Sequence, residues 1–380
     1  MIESALTRVE IEERERAILA PYASLSADSR GRVHKQQSHP LRTEFQRDRD
    51  RIIHSAAFRR LEYKTQVFIP HEKDHFRTRL THTIEVAQIS RTLARSLRLN
   101  EDLTEAIALV HDLGHTPFGH AGEDVLNELL SQSGGFNHNR QSLRIVDLIE
   151  QRYPDHPGLN LSYEVREGIA RHETSVPMQI AGFPSTLCPT LEASLVDISD
   201  EIAYNVHDID DGLSSGLIDF NSVANAPFSK ELLAGNSIVV RDKGTDLARH
   251  TLTRSLLNSM ATDVIATTMH NLLNLGIDNL EDVRECSDRI VGYSISIASA
   301  VAELKRFLHN ELYRHPHLES MSDWARKVLE VLFARFMAEP SLLPARYVEM
   351  LKSERPEIVI ADYIAGMTDR FATEKYTVLG

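Results

Sequence analysis

DLTEAIALVHDLGHTPFGH, from Asp102 to His120, is the stretch on which the reading of this 380-residue chain turns. Its first half reads as a helix over 103–113, with Asp102 at the N-cap position and Gly114 ending the run. Its second half gathers His111, Asp112, His115 and His120 around Gly114, Pro117 and Gly119. Neighbouring residues on a helix point ~100° apart, so one helix end can offer an imidazole and a carboxylate to a single ion. A lone His-Asp pair is ordinarily a surface or capping feature. Here His115, His120 and His138 follow closely, and histidines on a loop after a buried helix are poor packing choices. The pattern therefore points to a site.

Outward from this stretch, helix follows helix. Apolar residues recur at helical spacing over 2–19, 43–63, 82–99, 121–130, 139–151, 163–171 and 191–209. Asp211-Gly212 reads as the stop of the last of these. Further helical patterns cover 246–275, 287–311, 321–338 and 361–371. Residues 24–42 read as an irregular lead-in, and Phe68-Ile69-Pro70 closes an extended piece. The only strand pair suggested is a weak one near Ser237 to Arg241. No repeat or low-complexity tract is evident. The expectation is an all-α protein. Residues 1–40 would be a lead-in, 41–215 a functional core, and 216–380 a helical region completing the site and carrying oligomer contacts. The composition change over 213–245 is the softest boundary.

With 42 Lys+Arg against 55 Asp+Glu the net charge is −13, and 42% apolar with 26% charged residues describes an ordinary globular chain. Two cysteines, Cys188 and Cys286, exclude a disulfide framework and a thiolate zinc knuckle. No apolar run approaches the ~20 residues of a membrane span. The charge-laced first 20 residues lack a signal-peptide core, so no membrane and a reducing, cytoplasmic setting are expected. Residues 30–99 hold 16 Lys/Arg and 7 Asp/Glu, a local excess of +9, which leaves −22 for the rest. Such a chain repels duplex nucleic acid over most of its surface yet can bind a small polyanion locally. The plainer reading of that segment is a solvated Arg-rich face.

A His-Asp pair is half a coordination sphere. His82 opens the preceding helix, and Asp200 lies on the 191–209 helix, with Asp197 a rival one turn earlier. Two imidazoles and two carboxylates suit Mn, Fe, Zn, Ni or Co better than Ca or a Mg-only cage. Arg79, three residues before His82, faces the same side and can fork onto phosphate oxygens. Asp200, Tyr204 and Asp208 at i, i+4 and i+8 form one helix stripe.

The pattern His82, His111-Asp112, Asp200 resembles the HD superfamily of metal-dependent phosphohydrolases. Longer strings narrow the resemblance: Arg59-Arg60-Leu61 with Gln66, Arg79-Leu80-Thr81-His82, the run from His111 to His120, Phe136-Asn137-His138-Asn139, and the run from Ser199 to Tyr204. Together with Leu312-Tyr313-Arg314-His315-Pro316 and the run from Ala361 to Arg370, they resemble the bacterial branch of the deoxynucleoside triphosphate triphosphohydrolases. That family also includes a human enzyme joining a SAM domain to an HD domain. The resemblance covers nearly the whole chain.

It implies cleavage between the α-phosphorus and the 5′ oxygen of a dNTP, releasing a deoxynucleoside and triphosphate. His82, His111, Asp112 and Asp200 would hold the divalent metal, and Mg or Mn would accompany the triphosphate. His120 would be the general acid, Glu123 its orienting partner, and His138 a further group at the reacting centre. Gln66, Arg79, His115, Tyr204 and Asp208 would bind substrate, with Tyr204 close under the deoxyribose. The basic segment, holding Arg79 and Gln66, then reads as one wall of a triphosphate pocket. The resemblance also allows a dNTP activator, weak binding of single-stranded nucleic acid, and a homo-oligomer (tetramer or hexamer). Glu201 stands where the human relative has a phosphate-binding lysine, Asn139 replaces an acidic residue of that relative, and His115 stands where the longer enterobacterial dGTPases carry Asn. Strict dGTP preference is therefore not implied. Competing readings are another HD phosphohydrolase (a 5′-nucleotidase, or a (p)ppGpp or cyclic-nucleotide hydrolase) and a non-catalytic regulator binding nucleotides or single-stranded DNA.

Overall fold

The computed structural model describes residues 5–66, 77–172, 182–183, 186–234 and 245–380. Among them the fold is all-α: helices of every length and no strand, only the isolated bridges Arg32–Ser162 and Thr65–Thr78. The strand pair suggested near Ser237 to Arg241 lies outside the described residues, as do His71 and His75.

Three helices make the frame of the site. Arg79–Ser96 packs against both Glu101–Val110 and Leu191–Ser215. The middle one buries Leu103, Ala106, Ile107 and Val110 almost completely, so it is apolar nearly all round, as an interior helix must be. Its cap is Asn100, which accepts from the Leu103 amide at 3.1 Å. Asp102, expected there, instead accepts from Arg49 and Gln46 at 2.9 Å each.

Other boundaries moved for physical reasons. The expected 43–63 helix is broken into Glu44–Ile53 and Ala56–Arg60. Ser55 caps the second piece, and Glu150 accepts from the Ala56 and Ala57 amides at 3.2 and 2.7 Å, so distant chain fixes the break. The 191–209 helix continues to Ser215 and ends at Gly216, whose φ of 81° is left-handed. Gly212 is no stop: a Cβ there would meet Ile218 Cδ1 at 2.5 Å, so it serves close packing. The 287–311 helix starts only at Ile295 and passes into a π-turn, His309–Tyr313. The last expected helix is two, Pro356–Ala365 and Asp369–Leu379, the second capped by Thr368.

Two apolar cores result. The larger runs from Ala23 to Leu318 and holds the three-helix frame. The smaller joins Val125, Leu126, Leu130 and Phe136 to residues between Val328 and Ala372. Residues 216–380 contribute to both. No helix among the described residues is long and apolar enough to cross a membrane.

Candidate active site

The frame brings His82, from the first turn of Arg79–Ser96, and Asp200, from the middle of Leu191–Ser215, to a separation of 2.8 Å between Nε2 and Oδ1. The chain passes His111 and Asp112 in a tight 3-10 turn, His111–Gly114. Gly114 permits that turn to touch the next helix: a Cβ would sit 2.0 Å from the His138 carbonyl oxygen. His111 Nδ1 donates to the Ala108 carbonyl at 2.6 Å, which leaves Nε2 as a bare acceptor. That Nε2 is buried without a hydrogen-bond partner, 3.5 Å from Asp112 Oδ1 and 3.7 Å from Asp200 Oδ1.

A divalent ion fits this donor set. Ligand atoms at 2.0–2.2 Å from one ion stand roughly 3 Å apart, and the separations here are of that order. The donors of His82, His111 and Asp112 lie within 4.8 Å of one another, as do those of His111, His172 and Asp200. The protonation states suit ligands. Burial lowers the His111 imidazole against the pull of Asp112 and Asp200, keeping it neutral. Burial works to raise both carboxyls. Arg79 and the imidazoles outweigh it at Asp112, and His172 and His82 do so at Asp200, holding both well below the usual carboxylate range.

Asp197, the rival ligand, faces elsewhere: its Oδ1 receives His172 Nδ1 at 2.6 Å. His172 was not singled out by sequence reasoning. It sits one residue past Tyr163–Arg171, its Nε2 3.6 Å from Asp200 Oδ2 and its ring 4.9 Å from that of His111. Burial opposes its charge, but Asp197 and Asp200 raise it well above the ordinary imidazole value. The Arg171-His172-Glu173 string, ending an amphipathic helix, was the one available signal.

Around this pole a cavity of about 650 Å³ opens, lined by Gln66, Arg79, His82, Asp112, His115, His120, His138, Asp200, Tyr204 and Asp208 among others. Eleven of the twelve site residues expected from sequence therefore border one space or supply a ligand beside it, with His111 just behind Asp112. The remaining one, Glu123, stands behind the histidines: its carboxylate holds His138 Nδ1 at 2.9 and 3.0 Å and lies 3.8 Å from His120 Nδ1. Burial raises its carboxyl, yet His120 and His138 hold it far below the usual range. His115 stacks on His138 at 4.0 Å between centroids, and its Nε2 reaches Asp112 Oδ1 at 3.1 Å. Burial, Arg79 and His138 push His115 well below the ordinary imidazole value, so it is neutral. Arg79 Nη1 donates to Asp112 at 2.9 Å while its Nε and Nη2 are buried without partners.

The basic segment is mostly spent on the fold. Arg32 pairs with Asp48 and Glu44, Arg49 with Asp102 and Glu105, and Arg77 with Glu85, Asp210 and Asp211. Among the described Lys and Arg of 30–99, only Arg79 lines the cavity. Among the described residues, the positive wall expected from this segment contracts to one guanidinium. Glu201 pairs with Lys305 at 2.7 Å. The far wall also holds a residue given no role from sequence, Tyr313, delivered by the π-turn and donating its hydroxyl to Asp208. Burial pushes Asp208 up to about 7, against that hydrogen bond.

Two family models match the chain. The HD domain matches residues 79–205, from Arg79 through Tyr204, and the phosphohydrolase-associated domain matches 291–378. The deoxyguanosinetriphosphate triphosphohydrolase-like protein of Azoarcus sp. (strain BH72) is 51% identical over 367 residues, covering 94% of this chain and 95% of that protein. This chain belongs to that HD-domain family. Relatives of the same description in Geobacter sulfurreducens and Geobacter metallireducens are 48% and 46% identical, with at least 95% of each chain covered. The family member described here therefore carries the HD phosphohydrolase frame together with its associated C-terminal helices.

Proposed function

We propose that the protein hydrolyses deoxynucleoside triphosphates to deoxynucleoside and inorganic triphosphate. The observation that carries this reading is the cavity itself. Its volume lies within the roughly 300–1,000 Å³ of small-ligand sites. Its wall concentrates buried polar atoms that no group among the described residues satisfies: Gln66 Oε1, Arg79 Nε and Nη2, and His115 Nδ1. Buried polar atoms are normally paired, so a cluster of unpaired ones implies a polar ligand.

A divalent ion on His82, His111, Asp112 and Asp200 (Mn, Fe, Ni, Co or Zn) would supply Lewis acidity at the α-phosphoryl group and an acidified water. The chain's own groups do the rest. Arg79 donates to phosphate oxygens as a fixed cation, and His115, neutral with its Nε2–H on Asp112, turns its bare Nδ1 to the bound substrate as an acceptor. His120 stands at the mouth, its side chain 73% exposed, where bound substrate would cover it. From there it gives a proton to the departing 5′ oxygen, which needs one because an alkoxide is a poor leaving group. Glu123 lies 3.8 Å from that imidazole's Nδ1 and fixes His138 beside it. Tyr204, Asp208 and Tyr313 form the sugar end, where two rings leave little room for a 2′-hydroxyl. Gln66 faces the sugar and base. Mg or Mn would accompany the outer phosphates.

Purified protein incubated with each dNTP singly, and with all four mixed, in Mn or Mg, tests the reading. Free triphosphate is expected; orthophosphate or pyrophosphate as first product would refute it. Binding of dNTP without turnover in Mn, Mg and Co would favour a regulator instead. The mixed incubation also tests for an activating nucleotide.

A further inference from the structure

We infer that Lys64 and Asp369 are positioning residues for the loop His115–Gly119, through which the C-terminal helices set the geometry of the catalytic histidines. This rests on the reading above for its kinetic consequence, though not for its structural one.

Asp369 opens the last helix, yet it is buried and its carboxylate faces the site. One oxygen accepts from the Phe118 amide at 2.9 Å. The other accepts from the Thr65 amide at 2.8 Å and from the Thr65 hydroxyl. Lys64 is completely buried and makes no ion pair among the described residues: its Nζ donates to the carbonyls of His115 at 2.5 Å and Ala365 at 2.8 Å. Its own carbonyl accepts the Arg79 amide at 3.2 Å. Three backbone segments carrying site residues (Gln66, Arg79 and His115 with His120) are thereby tied to the turn at 365–369, some 250 to 300 residues away.

A purely structural role does not account for what is held. Phe118 lies in the left-handed region at φ 64°, and Gly119 follows at φ 62°. For a bulky L-residue that conformation is costly and persists only where its surroundings enforce it. The Asp369 carboxylate on the Phe118 amide is such an enforcement. These two residues turn the chain so that the next helix starts against the site, with His120 in its first turn and Glu123 one turn on. A Cβ on Gly119 would lie 3.4 Å from the Gln66 carbonyl oxygen and 3.5 Å from Arg79 Nη2, so this junction is itself packed on the binding groups. Burial lowers the Lys64 ammonium to about 7. A neutral amine still has two hydrogens for two carbonyls, so the clasp does not depend on the charge.

The test compares Asp369→Asn and Lys64→Met with Asp362→Asn. Asp362, buried one helix earlier, pairs with Arg144 and touches no part of the loop. The two clasp variants are expected to lose about 10- to 100-fold in kcat and to raise KM as well, because the clasp holds His120 together with the segments of Gln66, Arg79 and His115. Asp362→Asn should lower the melting temperature yet keep wild-type kcat below the transition. Hydrogen exchange of the peptide spanning 113–121 should accelerate in the clasp variants and not in Asp362→Asn. Unchanged kcat and unchanged exchange in both clasp variants would overturn the inference. So would a kcat loss matched by Asp362→Asn at equal loss of stability. If the wild type releases no triphosphate, the proposed function fails, and exchange of the loop peptide alone decides the clasp.

Discussion

The two poles of the cavity are built differently. Around Asp200, every candidate ligand is at least nine-tenths buried and sits on helices of the larger core. Around His120, the histidine is exposed and stands on a helix, Gly119–Leu129, whose apolar face packs into the smaller core with the C-terminal helices. The difference teaches a division of labour. An ion site needs fixed distances among charged groups that would repel or collapse in a loose setting, so the fold encloses it. On the proposed function, His120 is a proton donor that must meet substrate from solvent, and a place at the rim, held by its neighbours, suits that role.

The largest effect expected is at the buried pole. Asp200→Ala should abolish metal retention and turnover, measured by metal analysis after dialysis and by triphosphate release. Asp197→Ala, which acts through His172, should cost about 10-fold in metal affinity, as an outer partner does. The reverse result would reassign the ligand register. At the rim, Glu123→Gln should lower kcat by about 10²-fold with metal content intact. It removes the carboxylate that holds His138 Nδ1 and stands beside His120 Nδ1. Loss of metal in that variant would show that the poles are not independent.

The smallest effect concerns stability at the sugar end. Asp208 titrates near 7 in the fold against 3.8 ordinarily, because burial penalises its charge. The folded state therefore binds more protons than the unfolded chain between about pH 4 and 7, and stability from this group falls as pH rises through that window. Asp208→Asn keeps an acceptor for the Tyr313 hydroxyl and removes the titration. Its melting temperature relative to wild type should rise by a few degrees, on the order expected for such a shift, from pH 4 to 7 and stay level above. A constant difference across that range would count against the burial argument.

Much of this was legible from local pattern. The helices Tyr163–Arg171 and Asp246–Leu275 begin and end where their apolar spacing and flanking residues place them. The ligand candidates were legible because His, Asp and Gly occurred in a spacing that packing does not favour. What escaped is as specific. His172 has an unremarkable setting until Asp197 and Asp200, 25 and 28 residues on, close around it. Tyr313 was visible in a familiar string, but its meeting with Asp208 depends on a π-turn that no periodicity announces. The basic segment misled because charge count says nothing about partners, and Asp48, Asp102 and Asp210 had already claimed Arg32, Arg49 and Arg77.

Residue order by itself thus determined the all-helical class, the candidate metal-binding groups and the family resemblance. Each rests on chemistry that is local: helical period, capping, and which side chains can ligate or transfer protons. Tertiary structure decided which acids neutralise which arginines, which histidine joins the ligand cluster, and how Asp369 reaches back to Phe118 across 251 residues. Those outcomes depend on how buried helices pack, because burial makes unpaired charge and unpaired amide costly and so selects partners without regard to separation along the chain.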